Sequence, residues 1–588
     1  MKTFRMKKML VASMCVGVLI LGCTDPAPTE SASQLNNAKP NKSNVEIVNL
    51  ALDQGVIKQI NIELNSNPPA AGGKTYYVCD TGDDNNLGLS ESSPFRNYEK
   101  AMSTFASISG GDSVLLCRGG QFPVTKGKAI NNMNCSISSP CTLGDYGDPA
   151  AEKPLITVSD ATKPIWFADG GSKTPDAGYI VKNLSLVSST GLAPGVFLYR
   201  GVNNIVLDNL HIQGFKLGIQ IADASVHTVT LSNSVILNSV GQGILGACTN
   251  CIIENNHFEN NGKNVFHHNI YLSSNDGIAK NVTVRGNTLY KSAMEDGKCS
   301  GVSLVAHGKF EGITIENNLI REDVGAVKGG CYGISVDPGY GYEEYFKDVV
   351  IRGNTLLNVG GNAIGCASCD GALIENNTII DEGSVLVHGI SVPVRTEDTV
   401  KSKNITIRNN KILLTKNWNE TSGVRVGGLH PMSAENNTVY LADYPLSDCV
   451  RGSDENINVD VNDTLNTCNK TVSPSTLKSL VQSLLENSYV PPVEQTPIEE
   501  TPVEQTPVEQ TPVEQTPVEQ TPIEEAPENE SKEKLSRRGE TKKSTFTNTT
   551  YKAGSLFSGG ARSGGGGGSV TSDNTGKCKL FARGQCLM

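Results

Sequence analysis

The stretch Ile313-Thr-Ile-Glu-Asn-Asn318 decides the fold, because its pattern of apolar, variable, apolar, two variable residues and asparagine recurs along the chain. The recurring asparagines are Asn183, Asn209, Asn233, Asn256, Asn287, Asn318, Asn354, Asn377, Asn410 and Asn437. Their spacing varies from 23 to 36 residues, which indicates insertions in some repeats. A unit this short cannot bury a core alone, so the period predicts repeats that stack.

A second phrase, in which a small residue precedes an apolar–variable–apolar triplet, alternates with the first. Copies include Gly195-Val-Phe-Leu, Gly333-Ile-Ser-Val and Gly389-Ile-Ser-Val. Alternation with a period of two predicts short strands with one buried face. The recurring asparagine suits a turn because it tolerates the left-handed conformation. Stacked at one position, asparagine amides can also form a hydrogen-bonded ladder.

Together the two phrases resemble the right-handed parallel β-helix superfamily of pectate-lyase-like proteins over residues 74–470. The resemblance implies an all-β solenoid with short helical caps and disordered flanks. It also implies that the helical run ending at Phe105 closes the N-terminal end of the stack. An apolar face that follows Pro474 predicts a capping helix within residues 471–490. Leucine-rich repeats and left-handed hexapeptide helices fit the spacing less well.

Length and charge narrow the functional classes. A chain of 588 residues allows several domains or one elongated repeat domain, and the repeat favours the second. The 60 glycines and the 19% of charged residues suit many turns between short strands. The net charge of −11 and the pI near 5.4 argue against nucleic acid as a partner. We expect a monomer.

The N-terminus predicts export and a lipid anchor. A basic segment at residues 2–8 precedes an apolar run at 9–21, as in a signal peptide covering residues 1–22. The run ends Leu21-Gly22-Cys23, which resembles a bacterial lipobox. The resemblance implies diacylation of Cys23, with residues 23–73 as a tether. We therefore expect an outer-membrane lipoprotein of the bacterial cell envelope that faces the periplasm or the medium.

The C-terminal part changes character twice. Residues 491–530 repeat the pentad Pro-Val-Glu-Gln-Thr, which predicts an extended, self-repelling spacer. Residues 531–588 form a basic, glycine-rich tail. Such a tail can bind anionic polysaccharide or lipid headgroups, or can simply be solvated.

The 16 cysteines support export. Apart from Cys15 in the signal peptide and Cys23, they form near neighbours that predict disulfides. The predicted pairs are Cys135 with Cys141, Cys248 with Cys251, Cys299 with Cys331, Cys366 with Cys369, Cys449 with Cys468 and Cys578 with Cys586, which leave Cys79 and Cys117. The two Cys-x-x-Cys pairs could instead bind zinc or be redox-active, but four zinc ligands or a following helix would then be expected.

Outward positions of the second phrase form columns along the predicted rod, and two groups of titratable side chains fall on them. The first group is His268, Tyr271, His307 and Asp337. The second is His388 and Arg425, with Arg395 and His430 nearby. Four turns separate His268 from His388, so the two groups cannot share one proton transfer.

The family resemblance implies a polysaccharide partner and suggests a chemistry for the first group. A lyase or C5 epimerase of uronic-acid polymers needs a base, an acid and a group that neutralises the carboxylate. His268 and Tyr271 could supply base and acid, with His307 or a cation at the carboxylate. No cofactor is required, although calcium could serve as that cation. A hydrolase needs paired carboxylates, and only Glu343 or Glu344 could reach Asp337.

We therefore expect a lipid-anchored β-helix protein that engages an acidic polysaccharide as a lyase or C5 epimerase. The alternative is a non-catalytic carbohydrate-binding or surface-structural lipoprotein. Both fit the tether, the disulfides and the spacer, and the column of His and Tyr favours the enzyme.

Overall fold

The structure is a computed structural model that describes residues 73–169, 176–222, 224–383, 385–395, 398–415, 421–442, 448–452 and 465–488. Cys23, the pentad spacer and the basic tail lie outside the described residues. Within these ranges, no helix is both long and apolar enough to cross a membrane.

The chain winds as a right-handed parallel β-helix with three faces, and strands of successive turns pair in parallel. The first face contains β4 (Ala129–Ile130), β7 (Ile165–Ala168), β10 (Pro194–Tyr199), β13 (Leu217–Ile221), β16 (Ile244–Leu245), the starts of β19 (Ile270–Arg285) and β23 (Leu304–Glu316), β25 (Ile334–Val336), β28 (Gly361–Cys366), β31 (Leu386–Val392), β34 (Ser422–Val426) and β37 (Asp448–Gly452).

The second face contains β1 (Thr75–Val78), β2 (Ser113–Cys117), β5 (Cys141–Tyr146), β8 (Ala177–Lys182), β11 (Asn203–Asp208), β14 (His227–Ser232), β17 (Thr249–Glu254), the ends of β19 and β23, β26 (Tyr345–Arg352), β29 (Cys369–Glu375), β32 (Lys403–Arg408) and β35 (Leu429–Glu435). Because β19 and β23 run through both faces, these strands join into one sheet.

The third face is a 13-stranded sheet. Its strands are β3 (Gln121–Val124), β6 (Leu155–Val158), β9 (Ser185–Ser188), β12 (His211–Gln213), β15 (Val235–Leu237), β18 (His257–Glu259), β20 (Thr288–Tyr290), β24 (Leu319–Arg321), β27 (Thr355–Leu357), β30 (Thr378–Asp381), β33 (Lys411–Leu414), β36 (Thr438–Ala442) and β38 (Thr467–Val472). Outside the helix, β21 (Met294–Glu295) and β22 (Lys298–Cys299) form a short antiparallel hairpin.

Alternation fixes which side chains enter the core. In β10, Val196 and Leu198 are fully buried, whereas Phe197 and Tyr199 between and after them point outward. Successive turns repeat this choice, so inward aliphatic and aromatic side chains stack into one continuous apolar cluster. Burial of apolar surface along the whole rod is the main stabilising term.

The recurrent asparagine has two structural roles, and different residues perform them. Asn209 and Asn255 adopt positive φ at the sharp turn between the second and third faces. Asn256, one residue later, is buried and starts a ladder. In that ladder each asparagine Oδ1 accepts from the main-chain N–H and side-chain amide of the previous one, and the members are Asn256, Asn287, Asn318, Asn354, Asn377, Asn410, Asn437 and Asn466. From the sequence we expected the same asparagine to form the turn and the ladder. In the structure the turn residue points outward and the ladder residue points inward, so one residue cannot do both.

Both expected helices are present, although the second packs on a lateral face and not on the C-terminal end of the stack as expected. Helix α1 (Tyr98–Phe105) packs onto the first turns, where the ring of Phe105 contacts those of Phe167 and Tyr179. Helix α2 (Pro474–Ser488) places Val481 against Ile380 and Leu413. Those two residues alternate with core residues of β30 and β33, so α2 covers the outside of the third face.

Five predicted disulfides are confirmed among the described residues, and the leftover cysteines form a sixth. The bonds are Cys135–Cys141, Cys248–Cys251, Cys299–Cys331, Cys366–Cys369, Cys449–Cys468 and Cys79–Cys117. Both Cys-x-x-Cys pairs are thus closed as local disulfides at the corner between the first and second faces, so they offer no thiolate to zinc, and a strand begins at each pair where a thioredoxin-like site would have a helix.

One predicted disulfide differs from these five because the structure does not reach it. Cys578 and Cys586 both lie in the basic tail, outside the described residues. The bond between Cys578 and Cys586 therefore stays a prediction from the sequence, based on their spacing of eight residues in an exported chain.

Candidate active site

One outward column of the first face carries the candidate site. Register pairs one residue per turn along it: Trp166, Phe197, Gln220, Leu245, Tyr271, Val305, Ser335, Gly365, Ser391, Arg425 and Arg451. We call this the central column. Val305 and Ser335 face outward yet are buried, so other parts of the chain cover the column at these turns.

Aromatic rings meet beside the central column at Tyr271. The ring of His307 lies edge-on to Tyr271 at 5.4 Å and to Tyr340 at 5.8 Å, and Tyr342 stacks on Tyr340 at 5.5 Å. The hydroxyl of Tyr340 is 2.6 Å from that of Ser273. Burial raises the pKa of Tyr271, as does its hydrogen bond with Tyr340, so Tyr271 keeps its proton at neutral pH.

The carboxylate of Asp337 lies next to this aromatic group. Its Oδ1 accepts from the Ser335 hydroxyl at 2.9 Å, and its Oδ2 accepts from Nη1 of Arg395 at 3.2 Å. Nδ1 of His307 is 2.5 Å from the main-chain oxygen of Asp337, so that nitrogen carries the ring proton. The Asp337 side chain remains 23% exposed, which allows contact with a bound molecule.

Arg395 holds two carboxylates at once. While Nη1 contacts Asp337, Nε donates to both oxygens of Asp398 at 3.0 Å. The Asp398 side chain is only 4% exposed, whereas that of Asp337 is 23% exposed. A planar guanidinium with several donors suits such a bridge. Asp398 therefore anchors Arg395, and Arg395 orients Asp337.

Glu344 fixes the loop that carries Tyr340 and Tyr342. This side chain is buried, and its carboxylate accepts main-chain N–H groups from Gly308, Gly339 and Tyr340. Gly339 crosses the face of the His307 ring so closely that a Cβ would lie 2.8 Å from ring atoms. Of the two glutamates expected to reach Asp337, Glu344 is thus a structural anchor, and only Glu343 is exposed.

His268 does not face a bound polymer as the sequence predicted. The side chain is buried, its Nδ1 lies 2.8 Å from the main-chain oxygen of Val302, and its ring packs edge-on against Tyr271. Burial lowers the pKa of His268 to about 3, so the ring is neutral at physiological pH. The loop around Val302 covers this outward position, which makes His268 a support for Tyr271.

The residues of the second predicted group, around His388 and Arg425, do not lie together in the structure. Arg395 joins Asp337 instead of His388, because its guanidinium donates to the Asp337 carboxylate and to the main-chain oxygen of Pro338. His388 is buried with Nδ1 2.8 Å from the Ser422 hydroxyl, and burial lowers its pKa to about 3. Arg425 lies on the central column in register with Arg451, and nothing is described of the His430 side chain.

The candidate site contains no grouping of metal ligands among the described residues. The His, Cys, Asp and Glu groups close enough to share an ion are Cys79/Asp80/Cys117 and Cys299/Glu322/Cys331. Each contains both cysteines of a disulfide, which cannot coordinate as thiolates. The expectation that calcium could neutralise a substrate carboxylate therefore rests on the family resemblance alone.

Sequence reasoning brought together Tyr271, His307 and Asp337 but missed their partners. The spacing of the repeats could have revealed these partners. The longest interval between recurring asparagines, 36 residues from Asn318 to Asn354, contains the loop with Tyr340. A step of 33 residues ending at Asn410 contains Arg395. Insertions in a β-helix project from its turns, so they are where binding residues accumulate.

Comparisons with known proteins agree with this fold. A family model described as "Right handed beta helix region" matches residues 166–320. A lacto-N-biosidase from Bifidobacterium longum subsp. longum is 26% identical over 332 residues, which are 52% of this chain and 20% of that protein. The chain thus spans about a fifth of the length of this curated relative.

Two solved structures are similar in fold. A GH136 lacto-N-biosidase from Eubacterium ramulus is 17% identical with a TM-score of 0.42, covering 63% of this chain and 68% of that one. PfbA, a surface adhesin of Streptococcus pneumoniae, is 14% identical with a TM-score of 0.42, covering 61% and 88%. One carbohydrate-active enzyme, the Bifidobacterium longum lacto-N-biosidase, is thus similar in sequence to about half of this chain.

Proposed function

We propose that this right-handed parallel β-helix protein binds a glycan along its first face and cleaves a glycosidic bond at Asp337. The observation that carries the proposal is a partly exposed carboxylate that Arg395 and Ser335 orient and that lies 3.8 Å from His307, whose ring contacts those of Tyr271 and Tyr340. Aromatic rings offer flat apolar surfaces to sugar rings, while a fixed carboxylate is the usual reacting group of glycosidases.

The charge of the site favours a neutral glycan over an acidic one. Asp337, Glu344 and Asp398 bring three carboxylates to the cluster, against two cations, the Arg395 guanidinium and the Lys401 ammonium that donates to the main-chain oxygen of Arg395. Arg395 already serves two of those carboxylates. A uronate placed here would meet net negative charge, and repulsion between like charges opposes binding.

The reaction also needs a proton donor for the leaving oxygen. Asp337 would attack the anomeric carbon or stabilise its positive charge while a second group protonates the departing oxygen, and a water molecule then adds its hydroxyl to that carbon. Glu343 is the exposed carboxyl group of the same loop, so we assign it this role. The Tyr271 and Tyr340 hydroxyls would hydrogen-bond to sugar hydroxyls beside the cleaved bond.

A lyase or C5 epimerase acting on an acidic polysaccharide is the second candidate. The in-register pair Arg425 and Arg451 favours it, because two guanidinium groups on adjacent turns can bind carboxylates. This pair lies several turns from Asp337, and Arg451 already contacts Asp448 at 2.9 Å. The arginines therefore support binding of an anion more than chemistry at the aromatic cluster.

We also propose that the protein is anchored to the bacterial outer membrane through diacylated Cys23. The lipobox-like segment before Cys23 and the cysteine content of an exported chain support this location. Metabolic labelling with a clickable palmitate, comparing the wild type with Cys23→Ala, tests it. Label on the wild type alone is the expected result, and equal label on both proteins would refute the anchor.

Cleavage itself is tested with the purified full chain and two substrate classes. A chromogenic lacto-N-bioside represents neutral glycans, and alginate and pectate represent acidic ones. We expect chromophore release, with no rise in the ultraviolet absorbance that marks an unsaturated uronate. A rise in that absorbance would favour the lyase, and no product of either kind would favour the non-catalytic alternative.

A further inference from the structure

The first face has a second group of aromatic rings, far from Asp337. Trp166 and Phe197 are register partners on adjacent turns of the central column, and their rings meet at 6.2 Å. Tyr199 stacks on Phe197 at 5.8 Å with planes 18° apart. All three side chains point away from the core and keep part of their surface exposed.

Cations lie over the faces of these rings. Nζ of Lys163 lies 5.2 Å from the Trp166 ring and 5.3 Å from the Phe197 ring, and the Arg200 guanidinium lies 4.9 Å from the Tyr199 ring. A sugar could place its apolar C–H groups on the uncovered parts of these rings and its hydroxyls within reach of the Lys163 and Arg200 donors that lie over them. We call Trp166, Phe197 and Tyr199 the aromatic platform.

The central column connects the aromatic platform to the candidate active site. Register runs from Phe197 through Gln220 and Leu245 to Tyr271, which is three turns. At about 4.8 Å per turn, Phe197 lies about 14 Å from Tyr271 and about 24 Å from Ser335, the column residue next to Asp337. The same oligosaccharide could therefore contact both ring groups, because these distances are a few sugar rings long.

The turns between the two ring groups leave room for such a chain. Gln220 and Leu245 are partly exposed, and Gln220 carries an amide that can bond to sugar hydroxyls. Ala222 occupies the outward position one turn above Tyr199 and adds little bulk. The surface is thus open and mixed in character, as expected for a groove that holds a polar chain.

We propose that the aromatic platform is a remote subsite for a neutral oligosaccharide whose other end is held at Asp337. This inference rests on the proposed function, because it takes the glycan at Asp337 as its starting point. A purely structural role for the rings predicts effects on stability alone. A subsite predicts that the rings matter more for long glycans than for short ones.

Binding is measured separately from cleavage with a printed array of neutral and acidic oligosaccharides of increasing length. The full chain carrying Asp337→Asn is the reference, so that bound glycans are not cut. Trp166→Leu and Phe197→Leu are combined in that background, because leucine keeps apolar cover on the strands but removes the flat rings. Tyr290→Ala is the matched control. The Tyr290 ring also has cations over it, from Lys291 and Arg321, but it lies on the third face.

We expect the reference and the Tyr290→Ala protein to bind long neutral glycans more strongly than disaccharides. In the double leucine variant, the ratio of long-glycan binding to disaccharide binding should fall by about tenfold. Its disaccharide signals and its melting temperature should stay unchanged. An unchanged preference, a preference for acidic glycans, or no binding by the reference would overturn the subsite. These results do not depend on cleavage, so a failure of the proposed reaction remains distinguishable.

Discussion

Nη1 of Arg395 lies 3.2 Å from Oδ2 of Asp337, although 58 residues separate them in the sequence. This contact joins two segments of the candidate site, the insertion after β31 and the end of β25. It also explains why Asp337 keeps one orientation while remaining partly exposed. The chemistry proposed for the protein depends on this geometry.

Arg395→Lys tests whether orientation of Asp337 matters. Lysine keeps the positive charge but cannot contact Asp337 and Asp398 with separate edges of one planar group. We expect glycan cleavage to fall by about 100-fold, because a reacting group displaced by about 1 Å loses its alignment. Kinetic assays on the chromogenic lacto-N-bioside measure this loss.

Arg352→Lys is the matched control for that substitution. Arg352 contacts Glu316 on the second face, where its side chain is 50% exposed. Such a surface ion pair contributes only about 0.2–1 kcal/mol. Equal loss of activity in both variants would show that the Asp337–Arg395 contact has no special role.

Tyr340→Phe tests the hydroxyl network beside Asp337. The change keeps the ring stacked on Tyr342 but removes the oxygen that lies 2.6 Å from the Ser273 hydroxyl. We expect the free energy of unfolding to fall by about 1 kcal/mol and KM for the glycan to rise. Tyr345→Phe removes a hydroxyl bonded to Glu311 on the second face, and KM should not respond to it.

Asn377→Ala tests the asparagine ladder that supports the fold. The amide of Asn377 donates to Asn410 and Ile351, and its Oδ1 accepts two N–H groups of Asn354, all in the core. Their loss should lower the free energy of unfolding by about 2–5 kcal/mol, because buried polar groups become unpaired. Chemical denaturation measures the change.

The neighbouring residue offers a control for the ladder. Asn376 is exposed and adopts a φ of 56°, a conformation that glycine takes without strain. Asn376→Gly should therefore change the stability by less than about 0.5 kcal/mol. If both variants lose the same stability, the buried amides are not what distinguishes these positions.

Glu322→Gln tests a buried carboxyl group beside the Cys299–Cys331 disulfide. Burial raises the pKa of Glu322 from 4.5 to about 8. Between these values the folded chain holds more protons than the unfolded chain, so stability falls as the pH rises through this window. Glutamine cannot ionise and escapes this loss.

We therefore expect Glu322→Gln to melt at a higher temperature than the wild type at pH values above the window. Near the lower end of the window the two proteins should melt at similar temperatures. Thermal unfolding across that range, followed by circular dichroism, measures the difference. A constant difference at all pH values would contradict the raised pKa of Glu322.

The sequence predicted the rod and part of the site for a physical reason. Stacking of the repeats places Tyr271, His307 and Asp337 on neighbouring turns, so counting repeats was enough to group them although their lengths vary. The burial of His268 depends on a loop conformation near Val302, which no periodicity encodes. Grouping Arg395 with His388 was wrong for a similar reason, because the repeat does not encode the contact between the Arg395 guanidinium and Asp337.

The most direct test of glycan cleavage at Asp337 is the turnover of the chromogenic lacto-N-bioside by Asp337→Asn. Asp370→Asn is the matched control, because Asp370 is paired with Lys403 on the second face. We predict that Asp337→Asn lowers kcat by about 100-fold or more with an unchanged melting temperature, while Asp370→Asn keeps full activity. Full turnover by a folded Asp337→Asn protein would contradict the assignment of Asp337 as the reacting carboxylate.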